Sequence, residues 1–426
     1  MIVAIISVFV IGYVLIAFEH SIQINKSATA LLTGVLCWTI YAVFSRESVQ
    51  LIGEQLQHHL SESAAIIFFL IGAMTIVELI DAYGGFDLLT RRITTTNPKV
   101  LLWIVCFMAF VLSAILDNLT TAIVMVSMVP KLVTNRSMRL LFVGMIVVSS
   151  NAGGAFSPIG DVTTTMLWIG GQISAWNIIE TLLLPSLVCM LVPLLYLQFT
   201  LRGTLGERVT AEVTAPVPGA AVVLVLGLAG LIAVPVFKAV THLPPYIGML
   251  LVLGVLWVVS ELLNPHMDES ERKPYTAASA LARIDTPSVL FFLGILLAVG
   301  ALESTGVLRY FSEWLEATLQ DNRLIITLIG ILSSVVDNVP LVAASTAMYS
   351  LERFPTDHLI WEYLAYCAGT GGSILIIGSA AGVAVMGMEK ISFSWYLRHI
   401  SVLALLGYAA GAIVYFIVYP YFALHP

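Results

Sequence analysis

At 426 residues, with 59% hydrophobic residues, only 11% charged residues and a mean hydropathy of +0.97, the chain is not a soluble globular domain, which carries about 25% charge. A net charge of −7 argues against nucleic acid as a partner, since phosphate backbones bind basic surfaces. The composition is that of a polytopic membrane protein, in which each spanning helix needs about 20 apolar residues.

The first apolar run, 2–18, lacks a basic leader and an Ala-x-Ala site, so it reads as a spanning helix rather than a cleaved signal. Runs at 28–45 and 64–80 follow. Runs at 100–116 and 119–130 are each too short to span and flank Asp117-Asn118, the pattern of a re-entrant hairpin. The run 140–170 is long enough, but it is interrupted by Ser149-Ser150-Asn151-Ala152-Gly153-Gly154-Ala155-Phe156-Ser157-Pro158-Ile159-Gly160-Asp161. Gly and Pro loosen a helix there, and unwound backbone at membrane depth survives only where it faces protein or a wet cavity. After 176–198 comes the longest mid-chain polar break, 199–219, which reads as a cytoplasmic linker. The second half runs 220–237, 245–262 and 288–302, then a short pair, 324–336 and 339–350, around Asp337-Asn338. An interrupted run, 361–388, and a last one, 395–419, complete it. Mixed-charge stretches at 81–97 and 304–319 read as interfacial helices. Cys37, Cys106, Cys189 and Cys367 lie in apolar runs without metal spacing and read as small core residues.

The expected fold is all-α: about ten spanning helices, two of them broken, and two re-entrant hairpins. Landmarks repeat at an offset near 220: Gly34-Val35-Leu36 with Gly254-Val255-Leu256, Phe68-Phe69-Leu70 with Phe291-Phe292-Leu293, Asp117-Asn118 with Asp337-Asn338, and Gly153-Gly154 with Gly371-Gly372. The chain therefore divides into 1–198 and 220–426, with five spanning helices each. An odd number inverts the second half. With the N-terminus outside, fourteen of the nineteen basic residues fall in inside segments, Lys26, Lys99, Arg136 and Lys390 among them. The positive-inside rule thus supports an inverted repeat with both termini periplasmic.

Inversion brings two hairpin tips and two helix breaks to the midplane. Their polar residues are Asp117, Asn118, Thr120, Thr121, Ser150, Asn151, Ser157, Asp161, Asp337, Asn338, Thr370 and Ser373. Carboxylate, amide, hydroxyl and carbonyl oxygens are hard ligands that suit Na⁺ or Li⁺. A charge at this depth costs ~2.5–3.5 kcal/mol or more, so Asp117, Asp161 and Asp337 need a cation or a proton on them. A group that binds one or the other, but not both, performs exchange. The same three aspartates are also placed to cap helices, and the two roles can coexist. The main Na⁺ site is expected at Asp117, Asn118, Asn151 and Asp161, with Asp337, Thr370 and Ser373 forming a second cation or proton site. No nucleotide loop, Ser/His nucleophile pair or metal-ligand cluster points to an enzyme or a resident cofactor.

Ser-Asn-Ala-Gly-Gly-Ala-Phe-Ser-Pro-Ile-Gly-Asp at 150–161, with Asp-Asn at both 117–118 and 337–338, resembles the NhaD-type Na⁺/H⁺ antiporters. These belong to an ion transporter superfamily that includes arsenite permeases and divalent-anion/Na⁺ symporters. The resemblance covers nearly the whole chain. It implies a secondary transporter of a bacterial inner membrane, exchanging cytoplasmic Na⁺ or Li⁺ for external H⁺. It also implies a homodimer with an elevator-like motion. The symporters carry a tip resembling Ser-Asn-Thr, whereas Asp117 and Asp337 stand first here. That difference favours cations over the alternative cargo, a Na⁺-coupled carboxylate or oxyanion.

Overall fold

The computed structural model describes residues 1–17, 19–90, 93–202, 205, 217–263 and 268–423. Among them there is no strand. The first half contains α1 (Ile2–Ala17), α2 (Lys26–Phe44), α3 (Val49–Ala82), α4 (Pro98–Ser113), α5 (Asn118–Leu132), α6 (Arg136–Ala155), α7 (Val162–Ile169) and α8 (Ala175–Thr200). The second contains α9 (Ala220–Thr241), α10 (Pro245–Leu263), α11 (Thr286–Ser304), α12 (Val307–Leu319), α13 (Asn322–Leu332), α14 (Asn338–Met348), α15 (Leu359–Gly371), α16 (Ala380–Glu389) and α17 (Val402–Ala423). The linker expected at 199–219 lies largely outside the described residues, as do Arg91, Arg92 and Arg208.

Eight helical segments among the described residues are long and apolar enough to cross a membrane: α2, α3, α6, α8, α9, α10, α11 and Phe393–Pro420, which carries α17. The other two expected spans take a different form. The helix α1 is apolar but 16 residues long. The run 361–388 divides into α15 and α16 around Gly372–Ser379. Polar residues that satisfy orphan backbone donors set the helix starts: Asn25 for α2, Ser48 for α3, Asn97 followed by Pro98 for α4, and Asn135 for α6. The helix α3 begins fifteen residues before the apolar run at 64–80, so one 34-residue rod replaces an expected loop and helix. Within 304–319, α12 is amphipathic, burying Leu308 and Ser312 while exposing Tyr310, Phe311 and Trp314.

The two halves are intertwined. The helix α2 packs on α11 and α10 on α3; α5 packs on α16 and α14 on α7; α6 meets α15 and α8 meets α17. Exchanging the halves maps the first packing onto the second and the third onto the fourth, and maps each of the last two onto itself. The fit is close where α4 crosses α6 and α13 crosses α15. A Cβ on Gly153 would strike the Phe110 carbonyl, and one on Gly371 would strike the Gly330 carbonyl, so only glycine allows either approach. Ser113 Oγ donates to the Ser150 carbonyl at 2.6 Å, and Ser333 Oγ to the Ala368 carbonyl at 3.2 Å. The apolar window of α6 is 83% buried, against 33% in α9 and 28% in α10, so α6 is central and the other two face outward. All four cysteines are buried and unpaired.

Candidate functional site

Four short helices begin at the centre of the molecule. Asp117 is the N-cap of α5, Asp161 of α7, Asp337 of α14 and Ser379 of α16. Helix N-termini carry partial positive charge, which favours a carboxylate at each of the first three. The capping expected of these aspartates is therefore part of the same arrangement that brings them together.

Asp161 is 1% exposed and is the hub. Its Oδ1 accepts from the Thr163 backbone N–H and from Thr163 Oγ1, both at 2.9 Å. Its Oδ2 accepts from Asn118 Nδ2 at 2.6 Å and from Asn338 Nδ2 at 3.2 Å. The amides of the two Asp-Asn pairs thus converge on one carboxylate. Asn118 Nδ2 also lies 3.1 Å from Asn151 Oδ1, and Asn151 Nδ2 donates to Ser379 Oγ at 3.0 Å.

Asp117 and Asp337 occupy matching positions and behave differently. Thr120 satisfies Asp117 twice, through its backbone N–H at 2.8 Å and its hydroxyl at 2.7 Å. Asp337 has no side-chain cap bond. The residue three positions on is Pro340, which has neither an N–H nor a hydroxyl. Asp337 Oδ2 is instead paired with Lys26 Nζ at 3.0 Å, the two side chains being 12% and 19% exposed. Lys26, read from the sequence as an inside-loop charge, sits beside the N-terminus of α14.

Asp117, Asp161 and Asp337 line one cavity of about 40 Å³ together with Asn118, Thr120 and Asn338. This is room for one desolvated ion or a few waters, each water needing about 10–15 Å³. No three His, Cys, Asp or Glu side chains among the described residues come close enough to share one metal ion, so the carboxylates surround the cavity without meeting at a point.

The other expected site residues are nearby but engaged elsewhere. Ser150 Oγ donates to the Val147 carbonyl and Ser157 Oγ to the Ala114 carbonyl, which ties the helix break to the tip after α4. Thr370 Oγ1 donates to the Tyr366 carbonyl and Ser373 Oγ to the Thr370 carbonyl, so no hydrogen bond joins either of them to Asp337. Thr121 Oγ1 is buried with no hydrogen-bond partner among the described residues. Sequence reasoning missed Lys26 and Thr163 as partners of the site, and placed Ser379 in the second helix break without making it a site residue. The Asp161–Thr163 spacing is a capping signal, and Ser379 is the repeat counterpart of Asp161. Lys26 offered only a charge at the start of an apolar run.

A family model described as "Citrate transporter" (CitMHS) matches residues 13–362. The chain is 50% identical over 420 residues to "Sodium/proton antiporter 1" of Arabidopsis thaliana, covering 98% of this chain and 72% of that protein. It is 45% identical over 416 residues to "Sodium/proton antiporter 2" of the same plant, covering 96% and 98%. It is 33% identical over 436 residues to "Na(+)/H(+) antiporter NhaD" of Vibrio cholerae, covering 96% and 90%.

Proposed function

The chain belongs to the NhaD-type Na⁺/H⁺ antiporter family, within the reach of the citrate transporter (CitMHS) model, and from that premise we propose that it exchanges Na⁺, and Li⁺, for H⁺ at the carboxylates around Asp161. The observation that carries this reading is the Asp161 carboxylate held by the amides of Asn118 and Asn338 beside a cavity shared with Asp117 and Asp337. A cation entering that cavity finds oxygen ligands and displaces a proton; a proton returning from the other side displaces the cation. The ion is cargo, held by Asp117, Asn118, Asn151 and Asp161, with Asp337 closing the opposite wall. No covalent chemistry is required, so the protein acts as a secondary transporter.

The architecture that goes with this function is an inverted repeat of 1–198 and 220–426. The pairs α4–α5 and α13–α14 are its re-entrant hairpins, and α6–α7 and α15–α16 its broken helices. The matched packings about 220 residues apart support it. The excess of basic residues in inside segments supports an orientation with both termini outside. The relatives come from a plant and from bacteria, and the setting proposed for this chain is a bacterial inner membrane.

A second reading, Na⁺-coupled uptake of a carboxylate or oxyanion, has the name of the family model in its favour. The cavity argues against it. Three aspartates stand at the helix N-termini where an anion would bind, and about 40 Å³ is far below the ~300 Å³ at which small-molecule pockets begin. Fluorescence dequenching in everted vesicles decides between them. Na⁺ and Li⁺ should dissipate a preformed proton gradient and succinate should not; a response to succinate alone would reverse the assignment. Asp161→Asn should abolish the Na⁺ response while the protein still inserts. Normal dequenching by that variant removes Asp161 from the mechanism.

A further inference from the structure

Lys26 opens α2 and reaches across to the second half, where its ammonium lies 3.0 Å from Asp337 Oδ2 and 4.4 Å from the centre of the Phe291 ring. The Lys26 backbone N–H donates to Glu19 Oε1 at 3.0 Å. Lys26, Glu19 and Asp337 line one cavity of about 50 Å³, and Asp337 also lines the cavity of about 40 Å³ that holds Asp117 and Asp161. One carboxylate therefore borders a resident ammonium in one cavity and the candidate ion space in the other. This arrangement is not repeated. The residue 220 positions after Lys26 is Tyr246, and Asp117 is satisfied by Thr120.

We propose that the Lys26 ammonium is a tethered rival of the transported cation, holding Asp337 while the ion space is empty and moving onto Glu19 when Na⁺ takes its place. The inference rests on the antiport reading and deepens it by naming the group that the cation must displace. A buried carboxylate without a counter-charge is strongly unfavourable, and Lys26 prevents that state in the empty protein. The exchange adds the ion's one positive charge to a site that holds two carboxylates and one ammonium, and leaves every charge paired. Na⁺ neutralises Asp337, Glu19 neutralises Lys26, no covalent bond changes, and neither Lys26 nor Glu19 gains or loses a proton. Pro340 is what makes the competition possible, because a threonine there would satisfy Asp337 as Thr120 satisfies Asp117. A resident rival also weakens Na⁺ binding enough for the ion to leave on the far side.

The test is saturable binding of radioactive Na⁺ to the purified full-length protein in detergent, with the KM of exchange measured in parallel. Lys26→Met removes the rival and should lower the apparent Kd for Na⁺ about tenfold, equivalent to ~1.4 kcal/mol. Glu19→Gln removes the alternative partner and should raise it. Lys26→Arg should also raise it, because a guanidinium grips a carboxylate at two points. A purely structural ion pair would lower the yield of folded protein without shifts of opposite sign, so an unchanged or raised Kd in Lys26→Met overturns the proposal. Should that variant fail to fold, Glu19→Gln and Lys26→Arg decide alone, and an unchanged Kd in either is fatal. A wild-type protein with neither saturable Na⁺ binding nor Na⁺-dependent exchange would overturn the antiport reading itself. Normal wild-type binding with indifferent variants would overturn only the role of Lys26.

Discussion

Two asparagine amides donating to Asp161 make a graded test of the site. Hydrogen bonds to charged groups contribute about 1.5–3 kcal/mol, so Asn118→Ala and Asn338→Ala should each raise the KM for Na⁺ by about tenfold or more. Both amides serve one carboxylate, so the double variant should fall short of the product of the single effects. Independent multiplication would mean that the two amides act at separate sites. The aspartates should differ as well. Asp117→Asn loses a ligand outright, whereas Asp337→Asn loses a ligand and the rival held by it. The first should therefore raise the KM more, and the reverse order would move the main site to Asp337. The aspartates were legible in the sequence because a carboxylate at membrane depth is costly enough to need a reason. Lys26 was not, because its partner is 311 residues away and no local pattern encodes that distance.

The short helices hold their geometry through backbone contact. Where α4 crosses α6 and α13 crosses α15, Gly153 and Gly371 touch the carbonyls of Phe110 and Gly330. Adding a methyl group at either crossing should destabilise the protein by ~1–3 kcal/mol, as overpacking does. Gly153→Ala and Gly371→Ala are accordingly expected to melt at lower temperature in detergent and to accumulate less in the membrane, with KM little changed in whatever protein folds. A normal melting temperature would show that the crossings can relax. These glycines stood out in the sequence through the interrupted runs and the repeated Gly-Gly. The partner carbonyls did not, since a crossing is a property of two segments. The 34-residue α3 was missed for a related reason. Gln50, Glu54, Gln55 and His58 end the apolar signal without ending the helix, because nothing among them breaks backbone hydrogen bonding.

For the whole molecule, the proposed contest of protons and Na⁺ for the same carboxylates fixes the direction of the pH response. More protons leave fewer carboxylates for Na⁺, so the KM for Na⁺ should rise as pH falls from 9.5 to 6.5, with the maximal rate far less affected. A constant KM with a steeply changing maximal rate would point to a separate sensor. His358, in the loop before α15, is a poor one. Burial pushes its imidazole below the usual histidine range, which keeps it uncharged at neutral pH, and its Nδ1 accepts the Ile360 N–H. That the chain is all-helical and rich in apolar spans was legible because hydropathy is a property of the whole chain, whereas eight long spans among the described residues stand where ten were expected, because α1 is short and the run 361–388 divides into α15 and α16. Which half contributes which partner at the centre depended on the intertwining of α2 with α11 and α5 with α16.

The burial of Cys37, Cys106, Cys189 and Cys367 has a practical consequence. A water-borne maleimide reacts only with a thiolate it can reach, and burial in apolar surroundings denies it both access and charge. The natural sequence is thus close to silent toward such reagents, and a reporter thiol can be added without first removing the native four. Arg46→Cys, in the loop before α3, and Lys390→Cys, after α16, should be modified from opposite faces of a sealed vesicle. Modification of both from one face would refute the odd number of crossings in each half. Appreciable modification of the parent protein would show that the helices around these thiols open in the membrane.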